Sequence, residues 1–169
     1  MSQHSSLDEE KLYDYHKHNL VYISDYIKFA DSKSGILLTL NVAVILFLIK
    51  ALKEFSFPIK DLFGATKGLL IILALGILLY SALKFVLVLF PRFPRDKVYF
   101  MSWGGIASFT VDEYIDKMTN ISTEQFLKEM AKQNHDLSRV CTKKYEKLKR
   151  GTICFVVGIV LCGISYILS

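Results

Sequence analysis

Apolar and polar positions alternate along this chain in long blocks. No ionisable side chain occurs from Ser34 to Ile49, and the flanking charges are Lys33 and Lys50. At about 1.5 Å of rise per residue, that run makes roughly 24 Å of helix. A bilayer core is about 30 Å thick, and the lysine stems at both ends can reach the headgroups by snorkelling. A soluble core helix would suit a run this short taken alone. Two further runs, Gly68 to Phe90 with only Lys84 inside it and Gly151 to Ser169, exclude that reading. The pattern predicts three membrane-crossing helices.

Outside these runs the apolar positions keep helical spacing. Leu12, Tyr15, Tyr22, Tyr26 and Phe29 recur at three- and four-residue steps, and Ser6-Leu7-Asp8-Glu9 has the form of a capping box. One helix is expected from about Asp8 to Lys50. Pro91 and Pro94 end the second span, because neither donates the helical hydrogen bond. Gly104-Gly105 permits a turn, and Thr110-Val111-Asp112-Glu113 is a second box that opens a short helix to about Met118. Ser122-Thr123-Glu124-Gln125 is a third. It opens a helix with Phe126, Met130, Leu137, Val140 or Cys141, and Leu148 on its inner side, unbroken into the third span. The two polar half-helices are expected to pack side by side.

The predicted class is an all-α integral membrane protein, with three transmembrane helices and a cytoplasmic helical stalk. Its layout is a cytoplasmic amphipathic helix (1–33), transmembrane helices at 34–50, 68–90 and 151–169, a periplasmic loop (51–67) and a cytoplasmic helical region (91–150). Charge sets the orientation. Of 169 residues with net charge +5, residues 1–33 carry four Lys and residues 91–150 carry twelve Lys or Arg, against four Lys in 50–67. The positive-inside rule places the first two segments in the cytoplasm, so the N-terminus is in and the C-terminus out. The basic residues flank membrane entries, as at Lys143, Lys144, Lys147, Lys149 and Arg150, which favours topology over nucleic-acid binding. Phe55, Phe57, Pro58 and Phe63 are expected interfacial anchors.

Catalytic chemistry has little to rest on. No nucleophile elbow, phosphate-binding loop, zinc-protease motif or Cys-x-x-Cys occurs, so neither an enzyme nor a bound cofactor is expected. His16 and His18 do not share a helical face, and the three cysteines lack metal-ligand spacing. Gly35, Thr39 and Ala43 form one small-residue line, and Cys154, Gly158 and Cys162 form another. Such lines let helices approach closely in lipid, within one chain or between copies in a homo-oligomer. Asn41, inside the first span, needs a hydrogen-bond partner across a helix interface. Asp31 is expected to pair with Lys28, three residues away, while Lys33 snorkels at the membrane boundary. Arg92, Arg95 and Lys97 beside Tyr99, Phe100 and Trp103 combine cations for a phosphate with rings for a base. The same composition suits a juxtamembrane basic patch with its aromatic belt.

Several short motifs resemble the Pycsar effector family of small bacterial membrane proteins. Ala30-Asp31-Ser32-Lys33-Ser34-Gly35 is similar to its Ala-Asp-x-Lys-small motif, and Phe90-Pro91-Arg92 is similar to its Phe-Pro-Arg. Glu113-Tyr114 and Lys144-Tyr145 also resemble its pattern, over roughly residues 10–165. One departure is that Met101-Ser102 separates Tyr99-Phe100 from Trp103-Gly104-Gly105-Ile106-Ala107, where the family has a compact aromatic-Phe-Gly. The resemblance implies an anti-phage effector of the bacterial inner membrane. It implies activation by cyclic CMP or cyclic UMP from a partner nucleotidyl cyclase, with 91–150 as the sensor and membrane impairment ending in abortive infection. It adds a signal-relay role for Asp31 and Lys33. A cyclic oligonucleotide ligand, or a scaffold that senses nothing and recruits a partner through its cytoplasmic helices, are the alternatives.

Overall fold

The computed structural model describes residues 3–53, 62–90 and 101–167, and among these it contains helices and no strand. The elements are α1 (Gln3–Lys53), α2 (Leu62–Leu89), α3 (Trp103–Ile106), α4 (Val111–Asn120) and α5 (Thr123–Ile167). Three of them, α1, α2 and α5, are long and apolar enough to cross a membrane. The all-α membrane class that the sequence predicts is the one found.

Helix boundaries follow the capping chemistry in part. Thr110 caps α4 with both halves of its box formed: its hydroxyl accepts from the Glu113 N–H at 3.3 Å, and its own N–H donates to Glu113 Oε2 at 2.9 Å. These donations, the backbone one foremost, hold the Glu113 carboxyl below the usual range. At α5, Ser122 Oγ accepts from the Gln125 N–H at 3.2 Å. The first box does not act as a cap, because α1 already begins at Gln3 and places Ser6 within its opening turns. α5 passes through Gly151 without a break, as its sequence predicts.

The chain divides into two compact units, one of Met1–Lys28 with Arg92–Thr142, the other of Phe29–Pro91 with Lys143–Ser169. α1 and α5 contribute to both. In the first unit, Tyr13 meets Phe126 with ring centroids 6.1 Å apart, and Leu127 and Met130 are buried. Asn134, also buried, donates through Nδ2 to the His16 carbonyl at 2.9 Å. A cavity of about 420 Å³ is lined by Glu9, Glu10, Tyr13, Thr123 and Phe126 among others.

The second unit is a bundle of α1, α2 and α5. Its core holds Ala30, Ile45 and Leu48 from α1, Ile71, Ala74, Leu78, Phe85 and Val88 from α2, and Leu148 and Phe155 from α5. The buried positions of α2 from Ile71 to Val88 step 3-4-3-4-3 once Ser81 is included, the spacing of a helix packed in a left-handed bundle. In lipid, apolar burial does not by itself bring helices together, so packing and interhelical hydrogen bonds must do so. Lys84, expected to reach toward the C-terminal end of α2, instead places its ammonium 4.7 Å from the Tyr80 ring centroid. The Cα–Cβ bond of a helical residue tilts toward the N-terminus, which favours the ring one turn back.

Candidate functional site

The polar atoms buried in the bundle form a ladder along its three helices, and the lysine at one end of that ladder is the candidate site. Lys144 lies on α5 four residues before Leu148, on the face that packs into the bundle, and is 4% exposed. Its ammonium donates to Asp31 Oδ1 on α1 and to the Val88 carbonyl on α2 at 2.7 Å. Both acceptors have a reason to attract a cation. A buried ammonium without partners would be costly, and Asp31 supplies the opposite charge. Val88 lies in the last turn of α2, where carbonyls have no intrahelical donor and the helix dipole is negative. One side chain thereby joins all three long helices at a single level.

The Ala30–Gly35 motif is explained position by position. Ala30 and Ser34 are both 0% exposed and share the inward face, with Ser34 Oγ donating to the Phe85 carbonyl at 2.9 Å. Asp31 turns to Lys144, not to Lys28, which bridges Asp25 at 3.0 Å instead. A carboxylate beside a buried ammonium gains more than one beside an exposed lysine free to choose another partner. Lys33 points outward with its ammonium 4.2 Å from the Phe29 ring centroid, toward the N-terminal side of the motif. Asp31 and Lys33, grouped by the sequence, therefore act on different neighbours.

Deeper in the bundle, Asn41 Nδ2 donates to the Leu78 carbonyl at 3.2 Å and to Ser81 Oγ at 2.9 Å. Ser81 Oγ donates onward to the Gly151 carbonyl at 2.8 Å. The partner that Asn41 requires thus comes from the same chain. The two small-residue lines divide. A Cβ at Gly158 would stand 2.6 Å from Leu78 Cγ, so its smallness is used inside the bundle. Thr39 returns its hydroxyl to the Gly35 carbonyl at 3.1 Å, Thr39 and Ala43 are exposed, and a Cβ at Gly35 would meet nothing within 4 Å. Cys154 and Cys162 are half-buried free thiols.

Of the expected nucleotide-contacting residues, Arg92, Arg95, Lys97 and Tyr99 lie outside the described residues, as do Phe55, Phe57 and Pro58 of the loop. Trp103 opens α3, and its side chain lies outside them too. The cavity near Tyr13 presents Glu9 and Glu10, whose charge disfavours a phosphate. Among the described residues no group of three or more His, Cys, Asp or Glu could hold a metal ion.

Lys144 is legible in the sequence as one of a basic run but not as a site. The signal that isolates it is phase: the inner positions Leu137, Cys141 and Leu148 leave 144 as the step between them.

The family model described as "Pycsar effector protein domain" matches residues 15–169. Among curated proteins, the Pycsar effector protein SaPycTM of Staphylococcus aureus is 24% identical over 149 residues, covering 86% of this chain and 88% of that protein. No solved structure matches the chain.

Proposed function

Because the chain belongs to the Pycsar effector family, which implies a membrane-bound anti-phage defence effector, we propose that it senses a cyclic pyrimidine mononucleotide and impairs the inner membrane. The ligand is cyclic CMP or cyclic UMP, made by a partner nucleotidyl cyclase on infection. The cations and rings of Arg92, Arg95, Lys97, Tyr99 and Trp103 are the chemistry proposed to hold it. The proposed response is loss of the membrane barrier by an oligomer of the chain, without catalysis, ending in abortive infection.

The single observation that supports a gated bundle is the Lys144 junction. Its ammonium holds Asp31 of α1 and the Val88 carbonyl near the end of α2. A displacement of α2 at that end changes contacts on α1 and α5 together. Moving such an equilibrium from 1:99 to 99:1 needs about 5.5 kcal/mol of differential binding. A charge-assisted hydrogen bond supplies about 1.5–3 kcal/mol, so several contacts per chain, or several chains, must contribute.

In the proposed topology 34–50, 68–90 and 151–169 cross the membrane, 1–33 and 91–150 are cytoplasmic, and 51–67 faces the periplasm. A periplasm-dependent reporter fused after Ser169 is expected to be active; activity of a cytoplasm-dependent reporter there reverses the orientation. Cells that carry the protein are expected to keep their membrane potential until a co-expressed cyclase is induced, then to lose it. Arg92→Ala with Arg95→Ala should abolish that loss with insertion intact. Depolarisation at the wild-type nucleotide dose in the double variant would move the binding site elsewhere.

A further inference from the structure

We infer that the outer face of the N-terminal half of α1 is a homotypic seam, on which a second copy of this chain packs in parallel. The inference rests on the proposed oligomer and names the surface that closes it. Tyr15, Tyr22, Tyr26 and Phe29 are 62%, 53%, 44% and 51% exposed. Together with Leu12 and the half-buried Asn19 they step 3-4-3-4-3 along the helix. That is the heptad spacing of a coiled-coil seam, on a face that the rest of the chain leaves open.

The spacing continues in phase through Lys33, Ile36, Leu40, Ala43 and Phe47, all of them exposed. Each of Phe29, Lys33, Leu40 and Phe47 directly precedes a buried residue, namely Ala30, Ser34, Asn41 and Leu48. Successive residues on a helix are about 100° apart, so α1 carries two seams at about that angle. The inner one is filled by α2 and α5. The outer one can be filled at the same time.

The membrane cannot cover the aromatic part. At about 1.5 Å per residue, Tyr22 is roughly 18 Å and Tyr15 roughly 28 Å along the helix from Ser34, where the uncharged run begins. The headgroup layer on one side of a bilayer is only about 5–8 Å deep. Nor does this face suit a small ligand, because a single helix surface is convex and small-molecule sites are concave. An unpartnered aromatic face in water marks a protein contact.

The occupant is specified by what it must bring. It needs an apolar seam of the same period, at the same height above the membrane, with no charge to bury against the tyrosines. Every other copy of this chain meets those terms, since copies in one membrane share orientation and depth and Tyr22 stands level with Tyr22. The one cation in the seam, Lys33, is drawn aside over the Phe29 ring. Asn19 is the one uncharged polar residue among the water-side positions, and a single buried Asn at such a position fixes register in parallel coiled coils.

Disulfide cross-linking in isolated membranes tests this without nucleotide or cyclase, so its outcome does not depend on sensing or on membrane damage. With Cys141, Cys154 and Cys162 replaced by Ala, Tyr15→Cys, Tyr22→Cys and Phe29→Cys should shift the chain to dimer mass on mild oxidation. Asp14→Cys, Val21→Cys and Lys28→Cys, each one residue earlier and equally accessible, should stay monomeric. In the uncross-linked protein, Tyr22→Glu with Tyr26→Glu should lose the oligomer seen by native mass measurement. Equal dimer at both sets of positions, no dimer at the seam set, or an adduct whose mass belongs to another protein overturns the inference.

Discussion

Lys144→Met is expected to lower the stability of the detergent-solubilised protein by about 3 kcal/mol, the lower end of the range for breaking a buried ion pair because Asp31 keeps some access to solvent. Methionine fills much of the lysine volume, so little of the loss comes from a cavity. The loss comes from the Asp31 carboxylate and the Val88 carbonyl, which together lose the ammonium that joins them. Asp31→Asn in the Lys144→Met background removes the stranded charge and should recover part of the stability, a coupling in the range of about 0.5–3 kcal/mol for residues in contact. Thermal unfolding of the four proteins of this cycle, followed by helical circular dichroism, is the measurement. If Lys144→Met is neutral, or if Asn at position 31 only adds to the damage, the ammonium is not the junction described. In cells the single variant should insert and yet fail to depolarise, since a loosened junction no longer passes a shift of α2 to α1 and α5. Lys33→Ala offers the contrast: its ammonium touches only a ring on its own helix, and its loss should leave bundle stability near wild type.

The membrane helices are legible in the sequence because lipid imposes a rule that a single residue can break: a run free of ionisable groups, such as Ser34 to Ile49, suits a bilayer far better than water. The bundle is less legible for the same reason. Lipid-facing and bundle-facing positions are both apolar, so hydropathy does not say which face turns inward, and polar residues carry that information instead. Asn41 announces a partner but cannot name it, since its acceptors are a backbone carbonyl and a serine that any span could provide. Lys144 is hidden by its neighbours. Lys143, Lys147 and Lys149 are basic too, and charge counting treats all four alike, whereas only position 144 has the phase of the inner stripe. Local spacing assigns Asp31 to Lys28, and the tertiary partner wins because burial strengthens an ion pair that solvent would screen. The aromatic stripe from Leu12 to Phe29 reads as an amphipathic face, and its period is correct. Its direction is not available from sequence, because the inward face of α1 lies one residue away and is just as apolar at Leu20, Ile23 and Ile27.

Gly158→Leu should be about as damaging as the loss of Lys144, for a steric reason in place of an electrostatic one. A Cβ at this position would stand 2.6 Å from both Leu78 Cγ and Cδ2, and Leu78 is 0% exposed with no room to retreat. Overpacking a closed contact costs about 1–3 kcal/mol, and a full leucine side chain at a helix crossing belongs at the upper end. Leu78→Ala alone removes contacts and leaves a cavity, costing about 2–3 kcal/mol. The two changes exchange a large and a small residue across one contact, so the double variant should be more stable than either single variant. Gly151 shows the same geometry one level away, where a Cβ would come within 2.8 Å of the Phe85 ring. Gly35 does not. A Cβ there meets nothing within 4 Å, so Gly35→Leu should leave thermal unfolding of the single chain within about 0.5 kcal/mol of wild type. Should Gly35→Leu destabilise as much as Gly158→Leu, or should the Gly158–Leu78 exchange fail to recover stability, α2 and α5 do not pack through Gly158. The expected pattern instead leaves the Gly35–Thr39–Ala43 line for contacts outside the chain, where a change in oligomer size without a change in unfolding temperature is its signature.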